Sequence, residues 1–236
     1  MSTDVTGAAL ALFPELADVN GDAQNALVLE RRARWAGLEA PVQRLHVGES
    51  PSGAPLAVVL GSTTDPSLPQ LLAALADVRE ALVEWIAAGI PVLAVGTGLE
   101  ALTRSIRLPD GRLDGLGLLA AEAEPLAVRV AGDLVVTADA GELVGYENHS
   151  RGLRLDGGVE PLGTVVRGVG DGRGVDGVRS GSLLGTRLHG PVLAKNPALA
   201  DAILTAAFGS PVVPAGPHAA AADAAAARVR VALTAS

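Results

Sequence analysis

The sequence predicts an α/β fold of three layers, with a mixed, mainly parallel central sheet between helices and antiparallel strands gathered in the C-terminal half. Three observations predict it. Two short, unbroken apolar runs, Leu56 to Leu60 and Pro91 to Val95, have the length and continuity of parallel strands buried on both faces. Between them, Leu68 to Ala88 carries apolar residues at helical spacing up to a stop at Gly89, so the order strand, helix, strand is that of a parallel crossover. Beyond Arg104 the apolar segments shorten and glycine turns such as Pro109-Asp-Gly111 and Asp156-Gly-Gly158 multiply, which favours antiparallel pairing.

The remaining elements follow in order. Asp18-Val-Asn-Gly-Asp22 reads as a turn and N-cap cluster ahead of a helix from Ala23 to Trp35, which stops at Gly37. Pro41 to Val47 alternates like a strand, and a loop rich in Gly, Ser and Pro separates it from the first apolar run. Ala127 to Val136, Leu143 to Glu147 and Gly163 to Val169 read as antiparallel strands, and Ser182 to Leu188 as a last strand. Asn196-Pro197 opens a closing helix that runs to Phe208, with Pro197 at its first position. Residues 1–209 are expected to form the domain. Residues 210–236 are expected to be an Ala/Pro-rich tail, with an Ala-rich helix over 218–233.

Composition narrows the function classes. Hydrophobic residues make up 49% of the 236 residues, ample for a buried core. The net charge of −8, without a basic stripe, argues against nucleic acid as a partner. The N-terminus lacks a basic region followed by an apolar one, and no apolar run reaches the roughly 18–20 residues that span a bilayer, so a cytoplasmic protein without membrane insertion is expected. Cysteine is absent, which excludes disulfides and thiolate chemistry. Four histidines without metal-ligand spacing argue against a zinc centre, and no cofactor is expected.

Four polar segments fall at predicted strand ends: Val59-Leu-Gly-Ser-Thr-Thr-Asp65, Ala94-Val-Gly-Thr-Gly98, Gly145-Tyr-Glu-Asn-His149 and Gly185-Thr-Arg-Leu-His-Gly-Pro191. In an open α/β sheet the carboxyl ends of parallel strands line the ligand crevice, so the four can converge. The second segment is a buried strand that turns through glycines into a helix. Such a turn presents a nucleophile at its apex and helix N–H groups to an oxyanion. Gly96, at the apex, has no side chain to present.

These segments and their order resemble class I glutamine amidotransferase domains of the cobyric-acid-synthase-like branch, and in particular the glutaminase subunit of lipid II isoglutaminyl synthase. The likeness spans roughly residues 8–208 and takes in Asp18-Val-Asn-Gly-Asp22, Pro109-Asp-Gly, Leu113-Asp-Gly-Leu-Gly-Leu118 and Lys195-Asn-Pro-Ala-Leu-Ala-Asp201. It implies a flavodoxin-like three-layer fold. It also implies a cysteine thiolate that attacks the glutamine amide, a histidine that shuttles the proton, backbone N–H groups that hold the oxyanion, and ammonia transfer to an ATP-dependent partner.

Carried over to this chain, the nucleophile position is Gly96, the histidine is His189, and the oxyanion-hole positions are Gly61 or Ser62 and Thr97. Glu147, Asn148, His149 and Arg187 are candidate ligand-lining residues, the first three equally readable as a polar cap on a strand end and Arg187 as a candidate carboxylate holder. Arg129 is a candidate carboxylate holder for which a solvated role is favoured. Two further departures are the first loop, Gly61-Ser-Thr-Thr-Asp65, in place of a glycine-rich run, and Glu100 where the family usually has glutamine.

The resulting expectation is an inactive glutaminase-type subunit beside a Mur-ligase-like synthetase in peptidoglycan precursor amidation. Two readings compete with it. One is an active or repurposed amidase or hydrolase using Thr97, Ser62 or His189, and the other is a glutamine-binding sensor.

Overall fold

The structure is a computed structural model that describes residues 1–234; Ala235 and Ser236, the end of the expected tail, lie outside the described residues. Its central sheet has six strands in the order Val178–Ser180, Leu183–Thr186, Val92–Val95, Ala57–Leu60, Ala9–Leu12, Val42–Leu45, parallel throughout except for the first pair. Strand residues alternate between faces, so an unbroken apolar strand feeds two cores at once. Leu10, Leu12, Val58, Leu60, Val92 and Ala94 face one core, together with helices α2 (Leu68–Asp77) and α3 (Arg79–Ala87). Ala9, Ala11, Val59, Leu93 and Val95 face the other, together with α1 (Gln24–Trp35) and residues of Pro197–Phe208.

The helix expected from Leu68 to Ala88 breaks at Val78, where φ is −112° and ψ 11° and the N–H bonds three residues back to Leu75. A β-branched residue loses little by leaving the helical basin. The segment from Arg79 then forms a separate helix, with the Arg79 Nε donating to the Leu116 carbonyl at 3.2 Å.

The antiparallel half differs more from expectation. The strands expected at Ala127 to Val136 and Leu143 to Glu147 are the central part of one long hairpin, Ala121–Ala138 paired with Gly141–Leu155. Pro125 reads locally as a strand breaker. In the fold it sits at a bulge, where pairing skips between His149 and Arg151 and residues 126–129 loop outward. Gly163–Arg167, Val175–Asp176, Ser105–Leu108 and Gly111–Asp114 complete this second sheet.

After the short helices α4 (Thr97–Ala101) and α5 (Val192–Lys195), α6 (Pro197–Phe208) starts where the sequence places it and ends at Gly209 in the left-handed region. The Asn196 side chain, however, does not cap it. Its Oδ1 accepts the Val144 N–H at 2.8 Å and its Nδ2 donates to the Val144 and Val192 carbonyls at 2.9 and 2.8 Å, pinning the hairpin to the helix layer. An Asn196→Ala variant is expected to lose about 1–3 kcal/mol for each buried group left unpaired, read from urea unfolding.

The tail contains α7 (Pro217–Thr234). It packs back onto the domain: Ala219 and Ala226 are buried, and Asp223 pairs with Arg32 at 2.7 Å.

Candidate functional site

The chain reverses direction across the sheet between Ala9–Leu12 and Ala57–Leu60, and the loops leaving the carboxyl ends of these two strands face each other there. The first loop carries Asn20 and Asp22 and the second carries Ser62 to Asp65. Gly96 follows the neighbouring strand Val92–Val95, and His189 follows Leu183–Thr186. A short bridge between Tyr146 and His189, with the His189 N–H donating to the Tyr146 carbonyl at 2.9 Å, ties the hairpin to the same edge. The result is a pocket of about 310 Å³ whose lining includes Asn20, Ser62, Gly96, Arg129, Asn148 and His189.

Gly96 has φ +56° and ψ −121°, a conformation that L side chains rarely adopt, and its N–H donates to the Thr186 carbonyl at 2.9 Å. The backbone turn of a nucleophile elbow is therefore present, and glycine adopts it without strain. The space a side chain would need is taken. A Cβ on Gly96 would strike the Ser62 hydroxyl and come 2.6 Å from His189 Cε1. Gly98 has a different reason to be glycine, because a Cβ there would collide with the Gly61 carbonyl and hold α4 off the sheet.

His189 is 2% exposed, and its Nδ1 faces three groups: the Asn20 amide at 3.1 Å, the Ser62 hydroxyl at 3.4 Å and the Asp22 carboxylate at 3.4 Å. Tyr146 donates to Asn20 Oδ1 at 2.6 Å, and burial followed by the charge of Asp22 raises its phenol above the ordinary range. Lys195 donates to the His189 carbonyl at 3.2 Å, and burial lowers its ammonium from the ordinary lysine value.

Of the expected oxyanion positions, the Ser62 N–H and the Thr97 hydroxyl are engaged within the protein, and Thr97 lines the pocket. The Ser62 N–H donates to Asp22 Oδ2 at 3.1 Å. Thr97 Oγ1 donates to the Thr63 carbonyl at 2.9 Å and accepts the Thr63 N–H at 2.6 Å. Gly61 lies against the Ala17 backbone rather than in the pocket wall.

The expected ligand-lining residues divide. Asn148 and His149 line the pocket. Glu147 does not: it is 1% exposed and accepts the N–H groups of Val169 and Gly170 at 2.7 and 2.8 Å and the His149 Nε2 at 3.1 Å. Arg187 is fully buried behind the pocket, where Nη1 meets Glu100 at 2.6 Å and Nε meets Asp171 at 3.1 Å. It is a structural cation, since a guanidinium so enclosed must be met by carboxylates. Arg129 is exposed, as a solvated residue would be, and from the pocket lining it donates to Asn148 Oδ1 at 2.6 Å.

Glu100 joins the two halves of this charge network. Its other oxygen accepts Arg151 Nε at 2.7 Å, and Arg151 in turn holds Asp65 on the pocket wall with contacts of 2.6 and 3.0 Å. Burial alone would lower the Arg151 guanidinium, but the hydrogen bond to Asp65 and the charge of Glu100 outweigh it, and its pKa rises. Behind Arg187, burial and then the neighbouring Asp171 push Asp176 up to about 7, although it accepts the Thr186 hydroxyl at 2.7 Å.

That elevation sets the sign of a pH effect. Between about pH 4 and 7 the buried pair Asp171 and Asp176 holds a proton in the native state that the unfolded chain has released, so the pair's contribution is greatest at low pH and is lost as pH rises. Relative to Asp176→Asn, the native protein is expected to lose stability from pH 4.5 to 7.5, with a slope of at most about 1.4 kcal/mol per pH unit, measured by denaturant titration at each pH.

Sequence reading missed Asn20 and Asp22 as site residues because a polar loop before a helix reads as a cap. Asp18 does bond the Ala23 N–H at 2.8 Å, but Asp22 turns inward and is completely buried. The available signal was that this loop leaves the carboxyl end of a central strand.

Residues 13–197 match the family of CobB/CobQ-like glutamine amidotransferase domains. The chain is similar to subunit GatD of the glutamine-hydrolyzing lipid II isoglutaminyl synthase of Staphylococcus aureus (strain N315), with 32% identity over 188 residues that cover 78% of this chain and 76% of GatD. It is also similar to a probable cobyric acid synthase of Methanothermobacter thermautotrophicus, with 35% identity over 119 residues that cover 43% of this chain and 23% of the synthase. Among solved structures it is similar to PurLQS from Thermotoga maritima, with a TM-score of 0.55 and 15% identity, covering 86% of this chain and 96% of that one. This last likeness is one of fold. With the family matched across most of its length, this chain belongs to the CobB/CobQ-like glutamine amidotransferase domains.

Proposed function

We propose that this protein is a glutaminase-type subunit without a working nucleophile. It acts in the cytoplasm beside a Mur-ligase-like ATP-dependent synthetase in the amidation of lipid II, the peptidoglycan precursor. The similarity to GatD supports the setting. The observation that carries the inactivity is Gly96, an elbow with no side chain and with Ser62 and His189 crowding the place one would occupy.

A substitute nucleophile finds no support in the geometry. The Thr97 hydroxyl is held on both sides by the Thr63 backbone. The Ser62 hydroxyl donates to the Val95 carbonyl at 3.2 Å, and it meets the same His189 nitrogen that Asp22 meets, whereas a serine triad needs base and orienting carboxylate on opposite ring nitrogens.

Co-purification tests the partner. A Mur-ligase-like synthetase from the same cell is expected to elute with the tagged full-length chain at micromolar concentration, and elution of the two proteins apart contradicts the subunit reading.

The pocket favours one further reading. It remains open at about 310 Å³ with the Arg129 guanidinium in its wall, so glutamine binding without hydrolysis is the alternative use. Calorimetry showing no heat at millimolar glutamine or glutamate would eliminate it.

A further inference from the structure

We infer that Ser62 is a second lock on the nucleophile position: its hydroxyl occupies the space that a side chain on Gly96 would need, so the site cannot be reopened at Gly96 alone. The inference rests on the inactive-subunit reading and extends it from one vacancy to two coupled positions.

Three observations carry it. The Cβ of any residue replacing Gly96 would collide with Ser62 Oγ, the nearest atom to that point, with His189 Cε1 next at 2.6 Å. Ser62 is 2% exposed, and its hydroxyl is anchored to the Val95 carbonyl at 3.2 Å, while its N–H is anchored to Asp22 at 3.1 Å, so both ends of the residue are tied. The imidazole is drawn to the same spot, because the Ser62 hydroxyl and the Asn20 amide both face its Nδ1, at 3.4 and 3.1 Å. In a close-packed interior an overlap of this kind is relieved only by displacing a neighbour. Ser62 is the neighbour whose removal deletes the nearer of the two overlapping atoms without touching the backbone of the elbow, and the His189 Cε1 contact is common to both members of each pair compared below.

The geometry makes Ser62→Gly change sign with its background. With Gly96 in place, the substitution removes a buried hydroxyl that holds the Val95 carbonyl, and the unfolding midpoint falls. In the Gly96→Cys or Gly96→Ala background, the same substitution removes a collision, and the midpoint rises. Backbone strain from a side chain at φ +56° is common to both members of each pair and cancels in the comparison.

The experiment is a double-mutant cycle on the full-length chain, with Gly96→Cys and separately Gly96→Ala, each with and without Ser62→Gly. Unfolding midpoints are recorded for all variants, and the rate of iodoacetamide alkylation for the cysteine pair. The expected result is a sign reversal in midpoint and alkylation at least tenfold faster in Gly96→Cys/Ser62→Gly than in Gly96→Cys. Folding of the double variants where the single ones fail also supports it. An equal loss of midpoint on Ser62→Gly in every background overturns the inference. So does failure of both single and double variants to fold, because the obstruction then lies outside Ser62. Glutamine turnover by the native chain would overturn the inactive-subunit reading instead, and it is measured separately.

Discussion

Replacing Glu100 by alanine is expected to destabilise the protein by about 3–5 kcal/mol, enough to unfold much of a typical domain at ambient temperature. Glu100 is fully buried and accepts from Arg187 at 2.6 Å and from Arg151 at 2.7 Å. Its removal leaves Arg187, itself fully buried and with Nη2 already lacking a hydrogen-bond partner, to Asp171 alone. An uncompensated buried guanidinium is among the most destabilising defects a core can hold. Arg187→Ala is expected to be as severe, because it leaves the buried Asp171 without a cation and Glu100 with Arg151 alone. The pair Glu100→Gln and Arg187→Met separates charge from volume: the double variant is expected to recover part of the loss, as apolar replacement of buried pairs commonly does. Chemical denaturation of Glu100→Gln, Arg187→Met and the double variant beside the native chain reads the result. Equal, additive losses would show that the two side chains do not act as a unit.

The second large effect is chemical. An amide-mimicking electrophile directed at the pocket is expected to leave the protein's mass unchanged after a saturating incubation, because no thiol exists in the chain and the nearby hydroxyls of Ser62 and Thr97 are engaged with backbone. Loss of a covalent nucleophile leaves roughly 10³–10⁴ of rate enhancement over water in comparable enzymes, against a total that is orders of magnitude larger. Here the remainder is smaller still, since the Ser62 N–H, one expected oxyanion donor, is already given to Asp22. Intact-mass spectrometry checks this. A stoichiometric adduct mapped to Ser62 or Thr97 would restore the repurposed-hydrolase reading.

The parallel half of the fold was legible because its signals are local. An unbroken apolar run such as Val58 to Leu60 has no stable place except between two layers, and Gly89 and Gly209 end helices through backbone freedom that few other residues share. The break at Val78 and the full length of the hairpin were not legible, because both are settled by what packs against them. The alternation Ala121-Glu-Ala-Glu124 lacks the apolar content of a typical strand, and Pro125 interrupts it, yet pairing with Arg151 to Leu155 carries it through.

The candidate site divides in the same way. Gly96 and His189 were legible from the resemblance, and the structure places them together. Arg187 and Glu147 were not legible as buried ion-pair and loop-anchoring groups, since a charged residue beside a motif looks the same whether it faces the pocket or the core. Asn20 and Asp22 were hidden by the capping role that their neighbour Asp18 does perform.

Under the function proposed above, this amidotransferase domain does not hydrolyse glutamine. The most direct measurement is ammonia release from glutamine by the purified full-length chain, alone and with a Mur-ligase-like synthetase, beside a reaction supplied with ammonium. Release at the rate of glutamine in buffer is expected in both cases, with any amidated product arising only from added ammonium. Release at the turnover rates of an amidotransferase, with or without the synthetase, would contradict it.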